Sequence, residues 1–225
     1  MQAEAGASAK PEFARILERY CLTVADIERE DLIVPCRAIA LLSASPRHAS
    51  YRRPKILQTN NLDQLKQWIG VPDAAVKGRC LIDRDQRADF AAIQKEFKAA
   101  RKEAAAAVRP AGGVRLDALR AYARSYLFGD SSMVAAAKPH LEAFFDVFAV
   151  AVWAFPKVKV SAGSVLAFGP GANVLLASEL EIEEGGQIVS VGSLTVRIAG
   201  ALRKTVPHIA LPPVSLIHAL ALLRA

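Results

Sequence analysis

A row of acidic side chains near the C-terminal end of the chain is the densest set of groups that could do chemistry. Its members are Glu179, Glu181, Glu183 and Glu184. Leu180 and Ile182 alternate with the first three, so a β-strand would project those carboxylates from one outer face, roughly 7 Å apart. Such a row could hold Ca²⁺ or supply the two carboxyl groups of a polysaccharide-cleaving site. We favour a simpler interpretation, a solvated charged face that opposes sticking between strand edges.

A basic stretch lies in the N-terminal quarter, in the segment "PRHASYRRPK". Its candidate anion-binding residues are Arg47, Tyr51, Arg52, Arg53 and Lys55. No acidic residue occurs between Asp31 and Asp63, so the stretch is locally cationic. The arginines could hold phosphate while the tyrosine stacks on a base. No nucleic-acid-binding signature accompanies them, and we favour a surface loop with ordinary salt bridges.

The remaining reactive residue types do not form recognisable sites. The four histidines fall at no metal-ligand spacing, and the three cysteines form no CxxC pair. Phosphate-loop, GxSxG and HExxH motifs are absent from the sequence. We therefore expect no metal and no cofactor, and lean towards a protein that is not an enzyme. Reduced thiols and the lack of a secretory signal predict a cytoplasmic protein, and no apolar stretch is long enough to predict a membrane span.

The first two thirds of the chain favour helices. Residues 1–10 are expected to form a flexible tail, and a helix is expected after Pro11. Residues 38–42 form a short buried strand pattern, and Gly70 ends a short helix that begins near Leu62. Apolar spacing predicts further helices over 88–108, over 115–128 and from Ser132 past Pro139. Residues 11–145 are thus predicted to be α-rich with one or two short strands.

The helical spacing of apolar residues ends near residue 147, where β-branched and aromatic residues become frequent. The segment 158–169 resembles the segment 180–192, with a spacing of 22 to 23 residues and one extra residue in the second turn. Val158 and Val160 correspond to Leu180 and Ile182. A strand repeat of this length predicts a short right-handed β-solenoid, or β-helix, over 146–205. An antiparallel β-sandwich is the alternative, and residues 206–225 are expected to form a capping helix.

The predicted fold class is therefore α+β, with a helical N-terminal part followed by the β-solenoid. The chain has a net charge of +7, and 52% of its residues are hydrophobic. These features favour a non-catalytic structural or protein-interaction protein that forms a homo-oligomer or docks a partner protein. The expected interface lies on an apolar edge or on a C-terminal face formed by Leu216, Leu220 and Leu223. A polysaccharide-binding or polysaccharide-active protein is the first alternative, and a nucleic-acid-binding accessory protein is the second.

Overall fold

A computed structural model of the chain describes residues 11–83, 95, 113–145, 147–200 and 202–204. The predicted tail, nearly all of the predicted 88–108 helix and the predicted C-terminal capping helix lie outside these residues. The chain divides into two compact units. Unit 1 comprises Met1–Leu57 and Ala149–Ala225, and unit 2 comprises Gln58–Phe148. Within the described part, no helix has the length and apolarity that crossing a membrane requires.

The described residues of unit 1 form mainly strands, together with an α-helix, α1, at Pro11–Arg19. A single turn of 3₁₀-helix follows at Val24–Asp26. The strands are β1 (Leu32–Val34), β2 (Ile39–Leu42), β3 (Lys55–Thr59), β4 (Phe148–Val160), β5 (Val165–Phe168), β6 (Ala172–Ile182), β7 (Gln187–Ser190), β8 (Ser193–Ile198) and β9 (Leu202–Lys204). The first residue of β4, Phe148, and the last two residues of β3, Gln58 and Thr59, belong to unit 2 by this division.

The described strands form two sheets, and consecutive strands of the chain alternate between them from β4 to β8. The larger sheet has six strands, in the order β1-β4-β6-β8, with β3 also paired to β4 and β9 also paired to β6. The smaller sheet has the order β2-β5-β7. Strand β4 runs parallel to β1 and β6, β6 runs parallel to β8 and β9, and β5 runs parallel to β2 and β7.

The predicted fold class is wrong. The α+β prediction placed a helical N-terminal part before a separate β-solenoid, or alternatively before an antiparallel sandwich. Instead, the protein has mixed α/β content with parallel sheets, and the six-stranded sheet takes β1 and β3 from the segment that was predicted to be α-rich with one or two short strands. The sandwich alternative fails because hairpins pair antiparallel strands, whereas the strand pairs described above run parallel.

The repeated sequence does pair with itself, at a constant offset of 22 residues between β5 and β7. Val158 lies beside Leu180 and Val160 beside Ile182, as the sequence alignment indicates. In the second half of the repeat the alignment is wrong by one residue, because Leu166 pairs with Ile188 and not with Val189. The turn therefore contains no extra residue.

In-register pairing puts apolar side chains into continuous rows, and these rows form the core of unit 1. One row joins Leu32, Val158 and Leu180, all of which are at most 3% exposed. Trp153 and Phe168 pack edge to face between the two sheets, with their ring centroids 5.5 Å apart. The predicted strand from residue 147 is confirmed as β4, whose β-branched and aromatic residues suit this pleated, buried surface.

The outward face of the larger sheet is covered by α1. Phe13, Leu17 and Tyr20 repeat at helical spacing, and each is at most 1% exposed. The Tyr20 hydroxyl accepts a hydrogen bond of 3.2 Å from Nε of Arg197 on β8. The predicted helix after Pro11 is thus confirmed, and one apolar face of it packs on β6.

In the described part of unit 2, three α-helices have both ends defined: α2 (Leu62–Ile69), α3 (Gly113–Phe128) and α4 (Lys138–Phe144). Single 3₁₀ segments occupy Asp73–Ala75 and Ser131–Ala137. Asn61 caps α2 by accepting from the amides of Asp63 and Gln64, and Gly70 ends it as predicted. The helix predicted from Ser132 instead begins as a 3₁₀ segment capped by Asp130, and becomes α-helical one residue before Pro139.

The parallel register of β2 and β5 brings Gly169 against Ser43, and this close contact provides a test of the register. A Cβ on Gly169 would lie 2.5 Å from Oγ and 2.9 Å from Cβ of Ser43, although the two residues are 126 positions apart. Gly169→Ala should therefore destabilise the protein by about 1–3 kcal/mol in urea unfolding, and adding Ser43→Gly should restore part of the loss. Gly163→Ala, where φ is +65° and an added Cβ would lie 3.8 Å from Cγ of Arg37 and away from Ser43, serves as the control: Ser43→Gly should not rescue it. Equal coupling at both glycines would contradict the register.

Candidate functional site

The glutamate row lies on β6 and the turn after it, and each strand neighbour that faces it on β4 is a lysine. Lys157 pairs in register with Glu179, and Lys159 pairs with Glu181. Lys159 Nζ lies 3.5 Å from Glu181 and 2.6 Å from Glu183, while Lys157 Nζ lies 2.9 Å from Glu181. The carboxylates thus alternate with cations across two strands, a pattern that stabilises cross-strand pairing.

These contacts set the protonation of the row. The hydrogen bond from Lys157 lowers the pKa of Glu181, and the hydrogen bond from Lys159 lowers the pKa of Glu183. Glu183 also accepts from the amide of Ala162 at 3.0 Å. A general acid for glycoside cleavage needs a raised pKa, so neither carboxyl is suited to that role. The ion pairs also occupy oxygens that a Ca²⁺ ion would need.

Glu179 and Glu184, the other two glutamates of the row, do not complete a metal site among the described residues. Glu184 lies in the turn, where its backbone carbonyl accepts from the amide of Gly163 at 3.0 Å, and its side chain is exposed. Glu179 is half-buried and has an interaction of its own. Across the described residues, no group of three or more His, Cys, Asp or Glu side chains is placed to hold a metal ion.

The predicted basic stretch is the loop between β2 and β3, and two of its four cations are engaged in ion pairs. Arg52 Nη2 lies 2.6 Å from Glu30, and Lys55 Nζ lies 2.6 Å from Asp26. The Lys55 hydrogen bond is the main reason that the pKa of Asp26 falls to about 2. The Arg52 guanidinium carbon lies over the exposed ring of Tyr51, 5.2 Å from the ring centroid. Stacking on a base would therefore compete with Arg52.

The same loop is held against the sheet by its backbone. The amide of Tyr51 donates to the carbonyl of Leu41 on β2 at 2.8 Å, and the indole of Trp153 donates to the carbonyl of Arg52 at 3.3 Å. Arg47 and Arg53 are exposed. The loop therefore covers part of the edge of β2. Of the four predicted anion-binding cations, the exposed Arg47 and Arg53 are the two that could still bind an anion without breaking a described ion pair.

A serine and a histidine in this loop meet in a way that sequence spacing does not indicate. Ser43 Oγ lies 3.1 Å from Nδ1 of His48, a distance suited to a nucleophile and its base. Ser43 is only 3% exposed, and its hydroxyl also accepts from the amide of Ser45 at 3.2 Å. Because Ser43 is buried against Gly169, its hydroxyl is not accessible to a substrate. The hydrogen bonds of this hydroxyl to His48 and Ser45 instead stabilise the turn after β2.

Unit 2 contains a polar network that the sequence analysis missed. Lys66, whose side chain is 10% exposed, donates to Asp73 at 2.7 Å and to the carbonyls of Tyr126 and Gly129 at the end of α3. Its hydrogen bond lowers the pKa of Asp73 to about 2. A lysine at the C-terminal end of a helix stabilises the otherwise unpaired carbonyls there. Lys66 thus joins α2 to α3.

Asp63 is the second centre of this network. It accepts hydrogen bonds from the Tyr126 hydroxyl and from Lys138, and the Lys138 contact lowers its pKa. Burial, reinforced by the Asp63 carboxylate, raises the pKa of Tyr126, so the phenol stays protonated and cannot act as a base near neutral pH. These groups hold the helices of unit 2 together and leave no activated nucleophile among them.

The most distinctive exposed surface consists of apolar side chains on strands that lie at the ends of the sheets. We define the N-terminal edge as β1, β2 and β3, and the C-terminal edge as β7, β8, β9 and the turn at 191–192. The N-terminal edge exposes Ile33, Ile39 and Ile56, and the C-terminal edge exposes Val189, Val191, Val196 and Leu202. The interface predicted at Leu216, Leu220 and Leu223 lies outside the described residues.

The lysine and glutamate row gives a direct test of the β4–β6 register. Lys159→Glu places a third carboxylate between Glu181 and Glu183 and should lower the melting temperature at pH 7, because like charges then face each other. Adding Glu181→Lys should restore part of the loss, and high salt should reduce both effects. Since the lysines lower the glutamate pKa values, the stabilisation is complete at neutral pH and is lost as the pH falls through those lowered values. No coupling between the two substitutions would contradict the register.

Comparison with known proteins supplies no assignment for either unit. No family model, no curated protein and no solved structure matches the chain. The function must therefore be argued from the contacts, burial and charges described above.

Proposed function

We propose that this chain is a non-catalytic structural protein that self-associates through the edges of its parallel sheets. The observation that carries the proposal is the position of its exposed apolar side chains. Seven of the large hydrophobic residues that are exposed lie on the two edges, with Ile39 76% and Val191 70% exposed. Sheet edges also present backbone donors and acceptors that a second chain can pair with.

The charge pattern of the C-terminal edge supports the same proposal. From Gln187 to Val196 the sequence carries ten residues without a charge or a proline. Proteins that remain monomeric usually protect such edges with lysine, proline or inward-pointing charges. This uncharged run suits a surface that is covered by another chain, and the cations of the same edge, Arg197, Arg203 and Lys204, all follow it in β8 and β9.

The charged groups of the protein give less support to the alternatives. Glu181 and Glu183 are engaged by lysines, so a polysaccharide site would have to break those ion pairs. Arg52 and Lys55 are engaged by Glu30 and Asp26, which weakens the case for nucleic acid. Structural association uses the apolar edges and needs none of these groups to be free.

The proposal is tested by the absolute mass of the full chain, measured by size-exclusion chromatography with light scattering. We expect a discrete multimer at low salt and at high salt, because apolar contacts are not screened by ions. A monomer at all protein concentrations would contradict the proposal. Oligonucleotide binding that falls steeply with salt, without a multimer, would favour the nucleic-acid alternative instead.

A further inference from the structure

Among the residues that the structure describes, the core of unit 1 is closed at the N-terminal edge and open at the C-terminal edge. The row that begins with Leu32 at 1% exposure passes through Val158 and Leu180 and ends at Leu202, which is 58% exposed. A second row passes from Trp153 through Leu175, both at most 1% exposed, to Val196 at 37%.

The smaller sheet has the same asymmetry. Leu42 on β2 is fully buried, as is Phe168 beside it on β5. On β7, Ile188 packs against the core but is only half-buried, although its neighbour Leu166 is fully buried. Side chains that face the core thus lose their cover on the strands of the C-terminal edge and keep it on those of the N-terminal edge.

The N-terminal edge has its own cover. Tyr51 donates its amide to Leu41, so the loop after β2 occupies part of the edge of the smaller sheet. The indole of Trp153 fixes this loop by binding the carbonyl of Arg52, and Arg52 is paired with Glu30. The apolar residues exposed there, such as Ile39, stand on the outward face, in register with half-buried Val165.

We infer that the C-terminal edge is an interface with the same edge of a second copy of this chain, which forms a two-fold dimer. This inference rests on the proposed self-association and specifies its site. Growth of an open head-to-tail array would require both edges to be open, whereas in the described part of unit 1 the core rows are uncovered at the C-terminal edge and covered at the N-terminal edge. When one self-complementary patch is available, two copies meet through it and the assembly closes. The run from Gln187 to Val196 carries no charge, so β7 and the first part of β8 bring no like charges together in such a contact. The cations of this edge, Arg197, Arg203 and Lys204, lie beyond the run, and Nε of Arg197 donates to the Tyr20 hydroxyl.

The matched test uses three single substitutions in the full chain. Leu202→Lys and Val191→Lys change exposed residues of the C-terminal edge, and Ile39→Lys is the control on the N-terminal edge. Sedimentation velocity over a concentration series should give a dimer for the unchanged chain and for Ile39→Lys. Each C-terminal-edge substitution should raise the dissociation constant at least ~tenfold, since a charge would be buried without a partner. Circular dichroism checks that each variant is folded, and Val191→Lys lies in a turn, which keeps the test valid if Leu202→Lys misfolds.

The contrary outcomes separate this inference from the proposed function. If Ile39→Lys dissociates the multimer and the C-terminal-edge variants do not, self-association stands and the two-fold contact is overturned. Masses that keep growing with concentration, and fall with a substitution at either edge, indicate head-to-tail growth and also overturn it. A monomeric full chain overturns both. If that monomer becomes a dimer in a Leu220→Asp/Leu223→Asp double variant, the chain's own C-terminal segment covers the edge.

Discussion

Parallel, in-register strand pairing at a nearly constant offset is the constraint on which the rest of unit 1 depends. Strand β7 pairs with β5 at an offset of 22 residues, and β8 pairs with β6 at 21. Because the offset hardly varies, like side chains stack on like: valine and leucine stack inside, while lysine faces glutamate outside. The interior rows remove apolar area from water, which is the main source of stability in such a core.

The same constraint accounts for the polar groups. Lys159 meets Glu181 because the register that buries Val158 beside Leu180 also sets their outward neighbours side by side. The glutamate row is therefore better understood as half of a charged outer face than as a ligand set. The basic loop likewise acquires a structural role, since its backbone covers β2 while Arg52 and Lys55 pair with acids.

Local patterns in the sequence were sufficient for the helices and for β4. Apolar spacing predicted α1 and most of α3, and β-branched content predicted the long strand. They were insufficient for the fold class, because β1 and β2 find their partners 126 residues away. The N-terminal copy of the turn also lacks the glycine signal: Arg37 adopts φ +57° at the register position where Gly163 and Gly185 have +65° and +72°. The signal for the lysine partners on β4 was present in the sequence, because the alignment that sets Val158 beside Leu180 also sets Lys157 beside Glu179 and Lys159 beside Glu181.

The central claim, that a core closed at one edge is completed by a second copy at the other, is tested most directly by amide hydrogen exchange of the full chain at low and high concentration. Backbone amides of β7, β8 and β9 should gain protection at high concentration, because a partner strand excludes water from the open edge. Amides of β1, β2 and β3 should exchange equally in both samples. Protection that rises on the N-terminal edge, or on neither edge, would contradict the account.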